Sequence, residues 1–129
     1  MFRRDPRSGR LRQLAGAAGC LTEGGPAPGC GGARAVEGGH QVLLDRGGRT
    51  LIVSSDRGAG LAVFRRDART GRVQQLRGAR GCLGSLPWRG CAFARRTNSV
   101  HYTVLSQDGR FGYAAGENTS AVIVLRRHG

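Results

Sequence analysis

Residues 64–83, FRRDARTGRVQQLRGARGCL, decide the fold, because the chain contains them twice. Residues 2–21, FRRDPRSGRLRQLAGAAGCL, match them at 14 of 20 positions when Phe2 is aligned with Phe64. Chance would give roughly one or two identities at average residue frequencies. In each copy, turn residues separate two short extended runs: Asp5-Pro6 with Ser8-Gly9, and Asp67 with Thr70-Gly71. A short carboxylate accepts backbone hydrogen bonds, Pro presets φ, and Gly supplies a left-handed exit. Each copy therefore predicts a β-hairpin that runs into a glycine-rich loop carrying a cysteine.

Working outward, the repetition continues. Four antiparallel strands are expected at 41–44, 50–55, 61–66 and 72–76, joined by tight turns at 45–48 and 56–58. A second cysteine loop follows at 77–99, with Trp88 between Cys82 and Cys91. Strands at 100–105, 111–115 and 121–126 then repeat the first three, with Val100 aligned to Gly39 and the second loop one residue shorter than the first. The expected organisation is one domain. It holds a half-unit with its cysteine loop (1–39), a complete four-stranded unit (40–76), and a cysteine loop with three strands of the next unit (77–129).

Leu, Ile, Val and Phe total only 27 of 129 residues at a net charge of +13, close to the composition of disordered chains. They are bunched, however, into QVLL, TLIVSS, GLAVF, VHYTVL and AVIVL, and bunching makes strands. Leu51-Ile52-Val53 and Val122-Ile123-Val124-Leu125 are apolar on successive residues, which marks sheets buried on both faces. A four-stranded antiparallel meander that recurs every ~60 residues and stacks on copies of itself is a β-propeller blade. The alternative architecture is a β-sandwich of two duplicated sheets. The expected fold class is all-β, with about two propeller blades of ~61–62 residues and so a partial propeller.

All 21 basic residues are Arg. They are scattered through every predicted element, and the seven aromatic residues offer no stacking platform, so specific nucleic-acid binding is the weakest of three functional readings. No run of 18 apolar residues is present to cross a membrane as a helix. The opening MFRRDPRSGR has no apolar core segment of a signal peptide, whereas paired cysteines point to an oxidising, extracytoplasmic setting.

The motifs VFRRDARTG, QLRGARGCL and VLSQDGRFGYAA resemble the blades of the YVTN-type, lactonase-like β-propellers of actinobacteria. In that family a Ser-Pro-Asp-Gly-Arg turn precedes a Val-Tyr-Val-Ala strand, and a later strand ends in Phe-x-Arg-Asp before a Thr-Gly turn. Ser106-Gln107-Asp108-Gly109-Arg110 matches the first turn with Gln for Pro, and Asp45-Arg46-Gly47-Gly48-Arg49 is a more eroded copy. The resemblance covers nearly the whole chain and specifies the blade, not an activity. It implies a piece of a longer propeller, a structural or binding module without a complete active site, whose uncovered faces self-associate. The alternative it implies is a lactonase-like hydrolase, of the 6-phosphogluconolactonase type, whose site forms only in an assembled ring.

Few residues are candidates for chemistry. Cys20/Cys30 and Cys82/Cys91 occupy equivalent loops, where disulfides closing 11 and 10 residues would add about 2–3 kcal/mol. Free thiols remain open, as does a metal site drawing on His40 and His101, although structural zinc motifs space paired ligands more closely. His40 and His101 align at the start of the strand that would line a propeller channel. Asp56 and Glu117 align after the second strand and are expected on one rim. As structural residues, the histidines would cap a strand edge or donate to a loop carbonyl. No GxSxG elbow, Asp-x-Asp calcium pattern or phosphate-cradling loop occurs, and no cofactor or catalytic residue is assigned.

Overall fold

A computed structural model describes residues 1–58, 60–86 and 90–127. Trp88 lies outside them. Strands β1 (Phe2–Arg4) and β2 (Leu11–Gln13) form the first hairpin. Its turn is built as the residue types require: the Asp5 carboxylate accepts from the Arg7 and Ser8 N–H groups at 2.8 and 3.1 Å, and Gly9 sits at φ 72°. A short 3-10 turn, Gly16–Ala18, leads to β3 (Leu21–Glu23), which pairs in parallel with β4 (Gly31–Ala33).

The central sheet is antiparallel through β5 (Gly39–Leu44), β6 (Thr50–Ser55) and β7 (Gly60–Arg66). The far edge of β7 is shared. Its C-terminal half pairs with β8 (Val73–Gln75), completing the second hairpin, and its N-terminal half pairs with β9 (Cys82–Gly84). β10 (Ala92–Phe93) lies parallel to β9. The terminal sheet is the antiparallel set β11 (Val100–Leu105), β12 (Phe111–Gly116) and β13 (Ala121–Arg126). The protein is all-β, built of several small, mainly antiparallel sheets, and no α-helix occurs among the described residues.

The meander expected as a self-contained four-stranded sheet is in fact six-stranded, because the second cysteine loop adds β9 and β10 to it. Gly60 explains how the loop comes so close. A Cβ there would lie 2.0 Å from the Leu83 carbonyl oxygen, so the approach of β9 to β7 needs glycine.

Both faces of the central sheet carry core. On one side Leu51, Val53, Ala62 and Phe64 pack with Ala33, Ala35 and Cys82 under the first cysteine loop. On the other, Ile52, Leu61 and Leu83 pack with Val100, Ala114, Ile123 and Leu125 of the terminal sheet. Successive apolar residues on β6 and β7 thus serve opposite cores. Among the described residues, only the inner face of the terminal sheet is covered: Val122 and Val124 are 77% and 65% exposed.

Candidate functional site

The residues that could carry chemistry gather where the central and terminal sheets meet. In β5 the register passes from Gly39↔Ser55 to Gln41↔Ser54, and in β11 from Val100↔Gly116 to Tyr102↔Ala115. His40 and His101 are therefore the extra residues of two β-bulges. A bulge takes its extra side chain out of the in–out alternation and re-aims it. Both imidazoles turn to the seam and stack, with centroids 3.8 Å apart and planes at 13°. Tyr102 stands edge-on to His101 at 6.4 Å.

Each imidazole faces the carboxylate of its own half. His40 Nε2 lies 3.6 Å from Asp56 Oδ2, and His101 Nε2 lies 3.1 Å from Glu117 Oε2. Ser99 Oγ is 3.4 Å from His101 Nε2. The side chains of His40, Asp56 and His101 are 37%, 32% and 21% exposed, so the cluster is reachable from solvent. One ligand atom from each of these three residues falls within 4.8 Å of the others. Asp56 Oδ1 accepts from the Arg57 N–H, and Arg57 Nε is 4.0 Å away. Partial burial raises the Asp56 pKa, but the Arg57 N–H, His40 and the Arg57 charge outweigh it and hold the carboxyl below its usual range.

The seam is fastened by backbone and side chain together. Ser99 N–H donates to the Asp56 carbonyl at 3.3 Å, and Glu117 N–H donates to the Ser99 carbonyl at 3.0 Å. Ser54 Oγ donates to the His101 carbonyl at 3.0 Å, and Thr103 N–H donates to Gln41 Oε1 at 2.6 Å. Asp56 and Glu117 each lie beside the histidine that precedes them in their own sheet. Among the described residues the histidines donate to no loop carbonyl; they face each other and the two acids.

Ser99 belongs to this site and was not legible as such in the sequence. It is 4% exposed and adopts φ 65°, where its counterpart Gly38 also sits at φ 65°. The one available signal was that a serine aligns with a glycine two residues before each histidine.

Elsewhere, several polar residues make contacts that hold loops and turns. Cys20–Cys30 and Cys82–Cys91 are disulfides with Cα–Cα distances of 4.8 and 4.7 Å, and no described cysteine is free. Two disulfides are consistent with an extracytoplasmic location. Among the described residues no helix is long and apolar enough to cross a membrane. Ser55 Oγ donates to the Ala35 carbonyl, and Asp45, Asp67 and Asp108 each accept backbone N–H groups in turns. Among the arginines, Arg66 donates to the Gly48 carbonyl, and Arg127 reaches Asp45 and Thr50.

No family model, curated protein or solved structure matches this chain.

Proposed function

We propose that the chain is a β-propeller-type repeat module that works by stacking on sheets like its own, with no self-contained active site. One observation carries this reading. In the central sheet the residues that face the terminal sheet are on alternate positions of adjacent strands, among them Leu43, Ile52 and Leu61. When the two sheets are aligned, their counterparts are Val104, Tyr113 and Val122, and these are 56%, 41% and 77% exposed. Tyr113 pairs with both Val104 and Val124 across the strands, so these side chains form one contiguous apolar face. The face that covers its neighbour in one sheet is bare in the next.

A complementary surface exists on the first side of the molecule. Val42 and Leu44 are 65% and 44% exposed, and beside them a cavity of about 260 Å³ opens between Leu21, Val36, Leu51, Val53 and Phe64. The occupant proposed for the bare terminal face is this surface on a second copy. Such a head-to-tail contact is heterologous; where its rotation closes it makes a ring, and the ring proposed here has three or four chains. Light scattering after size exclusion tests it: a closed oligomer is expected, and a monomer with a cooperative melt at high concentration overturns it.

A second reading, lactone hydrolysis in the assembled ring, draws on the convergence of two imidazoles from different halves, each beside a carboxylate. That is the arrangement of a general base with its orienting acid. A lactonase assay at the oligomer's concentration tests it, with background activity counting against it.

A further inference from the structure

We propose that His40, His101 and Asp56, with Glu117 as a fourth donor, form a binding site for a divalent transition-metal ion of the Zn²⁺ class at the seam between the central and terminal sheets. This goes beyond the stacking reading, because it needs only the two sheets of one chain.

The donor set is the first argument. Two imidazoles with one or two carboxylates suit Zn²⁺ and its neighbours, whereas Ca²⁺ and Mg²⁺ require oxygen shells. The convergence is the second. The two histidines stand far apart in sequence, one in each repeat, yet each is the extra residue of a β-bulge, and both Nε2 atoms point at carboxylate oxygens. The third is the setting. A chain with 21 arginines and only eight acidic residues places two of its acids on this one histidine pair. Gly38 also leaves room for Asp56, since a Cβ there would stand 2.0 Å from Oδ1.

The distances require a modest contraction. Donor atoms of His40, Asp56 and His101 lie within 4.8 Å of one another. Around one Zn²⁺ at about 2.0–2.1 Å, tetrahedral donors stand roughly 3.3 Å apart, so the cluster closes by about 1–1.5 Å. The parallel rings must splay for both Nε2 lone pairs to reach a common ion. Part-exposed side chains can make that rotation while the seam's backbone hydrogen bonds hold the bulges in place. Asp56 Oδ1 stays with Arg57, leaving Oδ2 to ligate. The Arg57 guanidinium is the nearby cation that opposes the ion, and Glu117 offsets it.

The test is titration of the full, disulfide-intact chain with zinc chloride by calorimetry after removal of metals with chelator. Co²⁺ absorption reports the coordination directly. One ion per chain is expected in any oligomeric state, with a raised melting temperature that chelator reverses. His40→Gln and His101→Gln should each weaken binding by about 10-fold or more and remove the cobalt band, with Asp56→Asn weakening it less. Asp67→Asn, in the distant β7–β8 turn, should bind as the unaltered chain does. Absence of stoichiometric zinc binding overturns the site. So does affinity unchanged in either histidine variant, since a shared site needs both rings. Circular dichroism of each variant separates loss of ligand from loss of fold. Failure here leaves the stacking reading standing, because that rests on the apolar face.

Discussion

The central and terminal sheets repeat the same three-strand pattern, yet they live in different surroundings. β7 is bordered along its outer edge by β8 and β9, while no described strand borders β13. Gly60 is needed where β9 approaches; its counterpart Ala121 has no strand to admit. Leu61 is 3% exposed and its counterpart Val122 is 77% exposed. Closely related strands are thus core in one sheet and bare surface in the other. Strand chemistry sets the face, and the neighbour decides what that face is worth.

Breaking the central sheet should have the largest effect. Phe64 is 2% exposed within the first core, so Phe64→Ala should cost about 3–5 kcal/mol in denaturant unfolding. Its counterpart Leu125 is only half-buried, and Leu125→Ala should cost clearly less. Equal costs would mean that the two sheets are equally covered in solution.

The two disulfides differ in burial as the two sheets do. The loops they close differ by one residue, so loop entropy gives both about 2–3 kcal/mol. Cys82 is 1% exposed and Cys91 9%, whereas Cys20 and Cys30 are half-buried. The Cys82→Ser/Cys91→Ser pair should therefore lower the melting temperature more than Cys20→Ser/Cys30→Ser, because it also places hydroxyls in the core. Gly60→Ala should cost about 1–3 kcal/mol by pushing β9 off β7.

Smaller in stability, but decisive for assembly, is Val122→Asp/Val124→Asp. Those side chains face solvent, so the melt of the isolated chain should shift little, while the scattering mass should fall to that of a monomer. Unchanged mass would remove the terminal face from the interface.

The smallest effects are electrostatic. Asp67 is held below the usual carboxylate range chiefly by the Thr70 N–H, and Asp5 by the Ser8 N–H. At Asp45 burial raises the pKa, but the Thr50 and Arg49 N–H groups and the Arg127 guanidinium outweigh it. A carboxyl with a depressed folded pKa stabilises the fold above its unfolded value, near 3.9, and loses that contribution as pH falls through the folded value. Melting temperature should thus be flat from neutral pH to about 5 and decline below about 4, less steeply in Asp45→Asn. A decline that begins near pH 6 would point to groups other than these aspartates.

Much of this was legible beforehand. The hairpins, their Asp and Gly turn residues and the paired cysteines follow from local chemistry, and the strands expected at 50–55, 100–105 and 121–126 coincide with β6, β11 and β13. The parallel pairs β3–β4 and β9–β10 were not. Two- and three-residue strands such as Gly31–Ala33 are too short and too glycine-rich for a periodic signal, and they exist because each disulfide brings two loop segments side by side. The alignment of His40 with His101, and of Asp56 with Glu117, was readable. Their convergence was not, because a bulge changes where a side chain points without changing the sequence pattern.

Turn preference, cysteine spacing and hydrophobic bunching act over a few residues, so short antiparallel strands in two related sets, each with a stapled loop, are encoded locally. Which apolar face is buried, and that His40 and His101, one from each sheet, share one seam, follows only from tertiary packing. Burial and convergence depend on what packs alongside, and equivalent positions in two related strands meet different neighbours.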